Sequence, residues 1–386
     1  MKKLRFHVVA LPHTQTHPRH APCAYTMKVL HFVQMMKSLG HTVFHYGAEG
    51  SEVECDEHIQ TISRDEQIKY FGEWDKNALY NLGWTGKEPY WPLTNGRASA
   101  AINARKERRD ILALICGSLS APIIEAVGEE DVLPVEYGIG YTGTFSKYRC
   151  FESYSHMHMM WAFQGGRDPD GKFYDTVVPN YFNPADYPFQ PQKEDYYLFM
   201  GRIMRRKGIN AAVETCKRIG AKLVLAGQGV TKVEGNKIHC VGGEVFEGDH
   251  LEYVGCVTGD EKAQLLGKAK AAFTPTYYVE PFGGVAVEAQ MAGTPVISTD
   301  FGAFTETVEH GRTGFRCHTL DQFAWAAQHV HELDPWYIHQ RAVANYSMDR
   351  VKWMYQEYFE MIDDLWDEGW YESHPDRQSM DWLTRY

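Results

Sequence analysis

The sequence lacks the patterns of a membrane protein, a zinc protein or a repeat protein. Its 386 residues contain no run of about 18 apolar residues, so no hydrophobic membrane-spanning helix is expected. The eight cysteines are scattered, with no CxxC pair and no zinc-type spacing. No short-period repeat and no long low-complexity stretch occurs. We therefore expect a folded chain with reduced, mostly buried thiols, as in cytosolic proteins.

The chain also lacks an excess of basic residues. It has 39 Lys and Arg against 50 Asp and Glu, which gives a formal net charge of −11. An acidic chain is a poor general binder of nucleic acid or anionic lipid, although a local basic patch can hold one phosphate-bearing ligand. Residues 1–7 alternate like a strand and lack the apolar stretch of a secretory signal. A cytoplasmic location is expected.

What the sequence does have is apolar and aromatic material. Hydrophobic residues make up 44% and aromatic residues 13%, enough for a core in each of two domains and for stacking on sugars or bases. A strand at 5–11, a helix at 24–39 and a strand at 42–46 follow one another near the N-terminus. This order predicts a parallel sheet covered by helices.

The rest of the first half is less regular. Residues 49–96 are polar, aromatic and turn-rich, which predicts loops and short helices. Residues 98–115 predict a helix whose basic face carries Arg105, Lys106, Arg108 and Arg109. A buried strand is expected at 132–137, ending at Gly138, and a helix or strand–helix transition at 148–162.

A second series of strands and helices begins near residue 196. Strands are predicted at 197–200, 222–226, 237–241, 251–254, 271–274 and 295–298, and helices at 210–219, 260–268 and 284–291. Pro184, Pro188 and Pro191 interrupt the pattern before it. The expected fold class is α/β, with two Rossmann-like doubly wound domains, at 1–188 and 189–347, facing a cleft that holds a ligand.

The most informative stretch runs from residue 273 to residue 297. A strand ends, a loop with Glu280 follows, and Gly283 and Gly284 open a helix that carries Glu288. The glycines let a ligand approach the backbone closely, and the free N–H groups of the helix start suit an anion such as phosphate. The two carboxylates can accept paired hydrogen bonds from sugar or ribose hydroxyls.

A second loop follows the predicted strand at 197–200 and contains Gly201-Arg202 and Lys207-Gly208. Arg202 and Lys207 could clamp a diphosphate, Arg202 in bidentate fashion. The alternative interpretation is a solvated basic loop.

Together these motifs resemble the group 1 glycosyltransferases, also called family 4, which have the GT-B fold. The family's GR-x4-KG motif is present as Gly201-Arg202 to Lys207-Gly208, and its E-x7-E motif as Glu280 to Glu288. The resemblance covers about residues 177 to 316, and several independent motifs in the right order make it specific.

The resemblance implies a retaining transferase that moves a hexose, glucose-type from a UDP-sugar being favoured, to a hydroxyl acceptor such as a glycan. It implies front-face attack in the cleft, no metal, and no cofactor besides the nucleotide-diphosphate sugar as donor substrate. It also implies that the N-terminal domain binds the acceptor and that a helical tail at 348–386 packs back on that domain.

The resemblance also implies roles for particular residues. Arg202 and Lys207 neutralise the diphosphate and stabilise the leaving nucleotide, which is electrostatic transition-state stabilisation. Glu280 binds hydroxyls of the donor sugar, and Glu288 binds the ribose. Further donor contacts are expected from Gly201, Phe282, Gly283 and Gly284, and from Gly255, Cys256 and Val257 along the base.

Two candidate sites in the first half stay open. The family's first loop often carries a Gly-Gly pair that contacts donor phosphate, whereas here residues 12–20 have no glycine. The hydroxyls of Thr14 or Thr16, or the loop's histidines, would replace those contacts. His156 and His158 either bind a metal, or include one active-site residue near the donor sugar, or are simply one packed and one exposed histidine.

Two shorter motifs have competing interpretations. Residues 168–171 imitate a metal-binding DxD motif, but their proline and glycine favour a polar turn. Residues 136–141 end a strand, where ligands meet an open α/β sheet, or form a simple turn.

Three alternatives to the transferase remain. The first is another GT-B chemistry, such as a phosphorylase or an epimerase. The second is an inactive sugar-nucleotide-binding protein, which the intact Arg202, Lys207, Glu280 and Glu288 argue against. The third keeps the transferase activity but takes modified DNA bases as the acceptor in place of a glycan; the acidic net charge argues against it, but the basic face at 105–109 leaves it open.

Overall fold

The computed structural model of the chain describes residues 2–80 and 82–366. These residues form two compact units. In the described part of the chain, unit 1 comprises residues 2–73, 82–179 and 348–366, and unit 2 comprises Trp74–Tyr80 and Asn180–Ser347. The main part of unit 2 therefore begins after Pro179, and not at the predicted boundary between 188 and 189.

The residues around this boundary lie with unit 2 because they bond and pack there. The N–H of Phe182 donates to the carbonyl of Tyr346 (3.0 Å), and the Phe182 ring stacks on Phe282. The N–H of Gln190 donates to the carbonyl of Ala292 (3.0 Å). The prolines in this stretch interrupt regular structure without marking the change of unit.

Unit 1 is built on a seven-stranded parallel sheet. Its elements are β1 (Arg5–Val9), α1 (Ala24–Ser38), β2 (Thr42–Ala48), β3 (Glu57–Ile62), α2 (Arg64–Phe71), α3 (Tyr90–Asn103), β4 (Asp110–Leu114), α4 (Ala121–Val127), β5 (Val132–Ile139), β6 (Tyr148–Phe151), α5 (Tyr154–Gly165) and β7 (Asp175–Val177). The strand order is β3-β2-β1-β4-β5-β6-β7. The central strands β4 and β5 are buried at every residue, as parallel strands covered on both faces are.

The structure corrects the prediction of one helix at 98–115. Helix α3 ends at Asn103, and β4 lies in the middle of the sheet, between β1 and β5. Arg109 has a φ of 75°, a left-handed conformation that a helix cannot continue. Both faces of a central strand are buried, so the apolar run of β4 also fits the spacing of a helix.

Two other regions are more regular than predicted. Residues 49–96 contain β3, α2 and the beginning of α3, and residues 148–162 divide into β6 and α5. Strand β5 continues through Gly138, which has a φ of 58°, and its pairing with β6 shifts register between Glu136 and Ile139.

Unit 2 has a six-stranded parallel sheet and a small antiparallel sheet. Its elements are β8 (Tyr197–Met200), α6 (Ile209–Ile219), β9 (Leu223–Ala226), β10 (Val230–Glu234), β11 (Lys237–Cys240), β12 (Val245–Glu247), β13 (Leu251–Tyr253), α7 (Gly259–Lys268), β14 (Ala272–Thr274), α8 (Gly284–Met291), β15 (Val296–Thr299), α9 (Phe304–Thr307), β16 (Gly314–Cys317), α10 (Leu320–His329) and α11 (Pro335–Tyr346). The parallel order is β13-β9-β8-β14-β15-β16. The α/β class with two Rossmann-like units is thus confirmed.

Alternate residues of the unit 2 strands feed two different cores. In β8, Tyr197 and Phe199 pack into one cluster with Phe273, whereas Leu198 packs into a second cluster with Val224. Successive side chains of a strand point to opposite faces, so helices must cover both faces of the sheet. The edge at the carboxyl ends of the strands is left for loops, and the candidate site lies there.

The last described helix, α12 (Met348–Asp364), returns to unit 1 and packs against α1. Its Gln356 accepts a hydrogen bond at Oε1 from His41 Nε2 (2.6 Å), and its Tyr358 hydroxyl donates to the carbonyl of Tyr174 (2.7 Å). The part of the predicted tail at 367–386 lies outside the described residues. Among the helices of the described ranges, none combines the length and apolar character needed to cross a bilayer.

One buried carboxylate in unit 1 makes stability depend on pH. Glu136, on β5, accepts hydrogen bonds from the backbone N–H groups of Phe145 (2.8 Å) and Ser146 (2.9 Å) and from the Tyr141 hydroxyl (3.1 Å). Burial outweighs these bonds and raises the pKa of Glu136 from 4.5 to about 7. The folded chain then binds this proton more tightly than the unfolded chain, so stability falls as pH rises through this range.

We expect the free energy of unfolding of the wild type, relative to that of Glu136→Gln, to fall by about 3 kcal/mol between about pH 4.5 and pH 8. Urea unfolding of both proteins over a pH series measures this difference, and other titrating groups cancel in it. Glu125→Gln, at an exposed position of α4, is the matched control and should follow the wild type. A difference that stays constant with pH would contradict the assignment.

Candidate active site

The two loops that the motifs single out lie next to each other at one edge of the unit 2 sheet. One loop follows β8 and the other follows β14, and these strands are parallel neighbours, so their carboxyl ends meet. A cavity opens between the loops, and its lining includes Gly201, Lys207, Thr276, Glu280, Gly283 and Gly284. The fold thus brings together residues from both predicted motifs.

An ion pair between the two motifs lines this cavity. The Lys207 ammonium lies 2.9 Å from Oε2 and 3.3 Å from Oε1 of Glu280. Both side chains are more than half buried, so the pair is better shielded from solvent than a surface ion pair. A cation and a carboxylate are therefore held side by side at the cavity wall.

Tyr278 is a site residue that the sequence analysis missed. Arg206 lies over its ring at 4.4 Å from the ring centre, and the Lys207 ammonium lies at 5.0 Å. Burial and Glu280 raise the pKa of Tyr278, while Arg206 and Arg202 act in the opposite direction. The exposed Arg202 thus lies within electrostatic reach of Tyr278. Together these three cations outnumber the carboxylate of Glu280, so this side of the cavity has a net positive charge.

Helix α8 begins directly at the cavity. Its N-cap is Gly283, with a φ of 79°, and no side chain caps the first turn. A Cβ atom on Gly283 would lie 2.5 Å from the Phe304 ring, so the packing requires glycine there. The uncapped N–H groups of the first turn, together with the helix dipole, suit an anion in the cavity.

Glu288 lies one turn inside α8 and has one oxygen without a partner. Its Oε1 accepts hydrogen bonds from the Tyr187 hydroxyl (2.8 Å) and the Lys262 ammonium (2.6 Å). Its Oε2 is buried and makes no hydrogen bond within the described residues. Glu288 is 8% exposed, and a buried acceptor of this kind fits a hydroxyl-bearing ligand.

Tyr187 and Lys262 were also missed by the sequence analysis. Tyr187 follows a short turn of 3₁₀ helix at Pro184–Asp186, and Lys262 lies on α7. Neither residue belongs to a motif, so no sequence signal could have selected it.

The predicted base-facing segment packs in the same apolar cluster as α8, through Val257. The carbonyl of Gly255 accepts a hydrogen bond from the N–H of Gly227 (2.8 Å), and the N–H of Cys256 donates to Asn77 Oδ1 (3.2 Å). Cys256 and Val257 are buried. Burial raises the pKa of the Cys256 thiol and Lys262 lowers it, which puts Lys262 within electrostatic reach of Cys256.

The structure assigns Phe282 to the core and not to the cavity wall. Its ring stacks on Phe182 and makes an edge contact with Tyr346, and it is almost fully buried. The expected donor contact therefore does not come from its side chain. Packing Phe282 inward fixes the loop between Glu280 and Gly283.

The candidate residues of unit 1 have partners of their own. Thr14 is buried and its hydroxyl lies 2.6 Å from that of Thr26. His156 is 1% exposed; its Nε2 lies 3.0 Å from the carbonyl of Tyr141, and its Nδ1 makes no hydrogen bond within the described residues. Burial lowers the pKa of His156, which keeps the ring neutral. His158 is exposed, so the two histidines do not share one environment.

The basic residues at 105–109 follow helix α3 and do not form a helical face. Arg105 pairs with Glu57 (2.6 Å), Lys106 with Asp131 (2.7 Å) and Arg109 with Asp363 (3.4 Å). Their charges are thus largely neutralised within unit 1, which weakens the support that they gave to a DNA acceptor.

Residues 168–171 lie in an exposed irregular stretch after α5, as a polar turn would. Within residues 2–80 and 82–366, no group of three or more His, Cys, Asp or Glu side chains is arranged to hold a metal ion.

Comparison with known proteins finds similarity over the part of the chain that contains the cavity. Residues 186–342 match the family of glycosyl transferases group 1. The glycogen synthase of Mycobacterium tuberculosis (strain CDC 1551 / Oshkosh) is 32% identical over 165 residues, which are 39% of this chain and 38% of that protein. The chain thus spans less than half the length of the curated relatives that it matches.

Solved structures resemble the chain over more of its length than these sequences do. AviGT4, a glycosyltransferase involved in avilamycin A biosynthesis, matches with a TM-score of 0.64 and 19% identity over 93% of this chain and 98% of that chain. Anabaena HepE, solved with UDP and glucose, matches with a TM-score of 0.63 and 12% identity over 93% of this chain and 100% of that chain. The fold is therefore GT-B, and unit 2 carries the match to the glycosyl transferases group 1 family over residues 186–342.

Proposed function

We propose that the protein is a retaining glycosyltransferase that moves a hexose from a nucleotide-diphosphate sugar to a hydroxyl acceptor. The observation that carries this proposal is the Lys207–Glu280 pair beside the uncapped start of α8. It lies in a cavity at the carboxyl ends of β8 and β14, the edge where α/β sheets bind ligands. This arrangement offers a cation and backbone N–H groups to a diphosphate, and a carboxylate to sugar hydroxyls.

In this proposal the leaving diphosphate binds at the start of α8, between its N–H groups and Lys207. Negative charge develops on the diphosphate as the bond between the sugar and the β-phosphate breaks. Lys207 and the exposed Arg202 stabilise that charge, because fixed cations act most strongly where charge develops. Glu280 keeps Lys207 in place and accepts hydrogen bonds from the donor sugar.

Glu288 binds the ribose through its unpartnered Oε2. Two donors, Tyr187 and Lys262, occupy its Oε1 and so fix the direction of the other oxygen. A ribose hydroxyl that donates to Oε2 satisfies a buried acceptor. Such a hydrogen bond contributes more binding free energy than the same bond at the surface, because it removes the cost of the unpaired oxygen.

We propose a UDP-sugar as the preferred donor and a glucose-type hexose as the transferred group. The support is the similar fold of HepE, which was solved with UDP and glucose. Unit 1 is proposed to bind the acceptor, a glycan being favoured over modified DNA, since its basic run at 105–109 is ion-paired. The transfer is proposed to need no metal, because Lys207, Arg202 and α8 supply the positive charge.

A cytoplasmic location is proposed as well. All eight cysteines lie in the described part of the chain and are reduced thiols. Reduced cysteines are typical of proteins in a reducing compartment.

The experiment is a panel of UDP-, GDP- and ADP-sugars, incubated with the protein without acceptor and without metal. We expect one donor sugar to release its nucleotide slowly, and we expect that nucleotide to be UDP. The same nucleotide should stabilise the protein against thermal unfolding. Donor conversion without release would identify an epimerase, and a requirement for free phosphate would identify a phosphorylase. Binding without turnover, even with acceptors, would identify a binding protein. If no nucleotide binds, the proposed function is wrong.

A further inference from the structure

A short segment from the first half of the sequence belongs to unit 2. Trp74–Tyr80 lies in unit 2, although the residues on both sides of it in the sequence lie in unit 1. The indole N–H of Trp74 donates to the hydroxyl of Tyr80 (3.3 Å), so the two ends of the 74–80 segment are joined. No motif predicted a role for this part of the chain.

A buried glutamine holds the middle of the 74–80 segment. Gln228 is 5% exposed, and its side-chain amide donates to the carbonyls of Lys76 (3.0 Å) and Ala78 (2.7 Å). These two carbonyls flank Asn77. The backbone N–H of Asn77 donates to Asp75 Oδ1 (2.9 Å), which closes a turn. Asn77 is thus presented at a fixed point, between two anchored carbonyls.

From this position the Asn77 side chain takes up the backbone N–H of Cys256, in the segment expected to face the base of the sugar nucleotide. Its Oδ1 accepts the hydrogen bond from the N–H of Cys256, and it lies 3.7 Å from the point where a Cβ on Gly255 would be. Cys256 lies within electrostatic reach of Lys262, and Lys262 donates to Glu288. Val257, the residue after Cys256, packs in one apolar cluster with Ala289, which is next to Glu288 on α8. Asn77 is therefore bonded to the backbone of a segment that packs against the helix of the carboxylate proposed to bind ribose.

The base of a nucleotide is bonded directly to its ribose. A ribose at Glu288 therefore brings its base to the neighbouring backbone at Cys256. Polar edges of bases present hydrogen-bond acceptors, and the N–H of Cys256 has a single hydrogen to give. A base that accepts this hydrogen and the side chain of Asn77 cannot both make a good bond with it.

We propose that Asn77 occupies the base end of the donor site and that a bound nucleotide displaces it. This inference rests on the proposed function. The 74–80 segment then competes with the base of the donor for the backbone N–H of Cys256. This competition lowers the affinity for the donor, and binding of the base moves the segment away. It gives a role to a part of the chain that lies outside every family motif.

The first test is Asn77→Ala, measured by calorimetric titration with UDP. Asn77 is exposed, so its removal should leave the fold intact, and Gln228 still holds the segment. Freeing one hydrogen-bond donor should tighten UDP binding by about three- to tenfold. The matched control is Asn236→Ala, an exposed asparagine bonded to Asp249 on the antiparallel sheet, which should leave the affinity unchanged.

The second test is trypsin cleavage of the wild-type protein after Lys76, followed by mass spectrometry. Because a bound nucleotide displaces the segment, UDP should speed cleavage of the bond between Lys76 and Asn77. If UDP protects this bond, the segment closes over the nucleotide and the inference is wrong.

The two proposals fail in different ways. If the wild type binds UDP and Asn77→Ala binds it equally or more weakly, the competitor role is wrong and the proposed function stands. If neither protein binds UDP, GDP or ADP, the proposed function is wrong, and this inference is wrong with it.

Discussion

Replacing Lys207 by alanine should lower kcat at least about a hundredfold while the protein stays folded. Lys207 is the cation closest to the proposed diphosphate, and removing one group that stabilises developing charge costs about 10²–10³ in rate. It lies on a short turn that contains no fully buried residue, so the change leaves no cavity in the core. Nucleotide release in the presence of donor and acceptor measures the effect.

Glu280→Gln should lower the rate to a similar degree, because the amide carries no negative charge to pair with Lys207 and offers the sugar one acceptor oxygen in place of two. A second Lys–Glu pair of unit 2 supplies matched controls. Lys222 and Glu252 lie 2.6 Å apart at the surface, and Lys222→Ala and Glu252→Gln should leave kcat unchanged. If Lys207→Ala keeps its kcat within about threefold of the wild type, the site assignment is wrong.

Gly208→Ala should destabilise unit 2 by more than about 3 kcal/mol and abolish transfer. Gly208 has a φ of 81°, and a Cβ there would lie 1.8 Å from the carbonyl oxygen of Pro275. Backbone atoms cannot move aside as a flexible side chain can. The loop after β8 would have to separate from the loop after β14, and Lys207 would then lose its contact with Glu280.

Gly220→Ala is the control that distinguishes the effect of this close contact from the effect of backbone strain alone. Gly220 has a φ of 66°, but no heavy atom lies within 4 Å of the point that its Cβ would occupy. Its replacement should cost about 1–2 kcal/mol, the penalty of a left-handed alanine alone. Urea unfolding of both variants gives the comparison. Equal losses would show that the close approach of the two loops does not matter.

Much of unit 2 could be predicted from the sequence because its strands are short, buried on both faces and therefore continuously apolar. The strands expected at 197–200 and 271–274 are β8 and β14, and the helix expected at 284–291 is α8. The same property misled the prediction at 98–115, where the buried strand β4 fits helical spacing. A run of apolar residues in the sequence does not show whether it is a helix buried on one face or a strand buried on both faces.

The site was predictable to the extent that its residues belong to motifs. Lys207 and Glu280 are 73 positions apart, and the family resemblance assigned both to the donor site; their direct contact is a finding of the structure. Tyr187, Lys262 and Asn77 contact motif residues through the tertiary fold. Tertiary contacts of this kind leave no local pattern in one sequence, so a single sequence gives no means of finding them.

The path of the chain between the two units has a consequence for the order in which they can be completed during synthesis. The chain changes unit after Glu73, Tyr80, Pro179 and Ser347. Helix α12, whose Phe359 packs 5.0 Å from the Phe6 ring of the first strand, is made after all of unit 2. On the ribosome, the unit that is begun first is therefore the last to close its core.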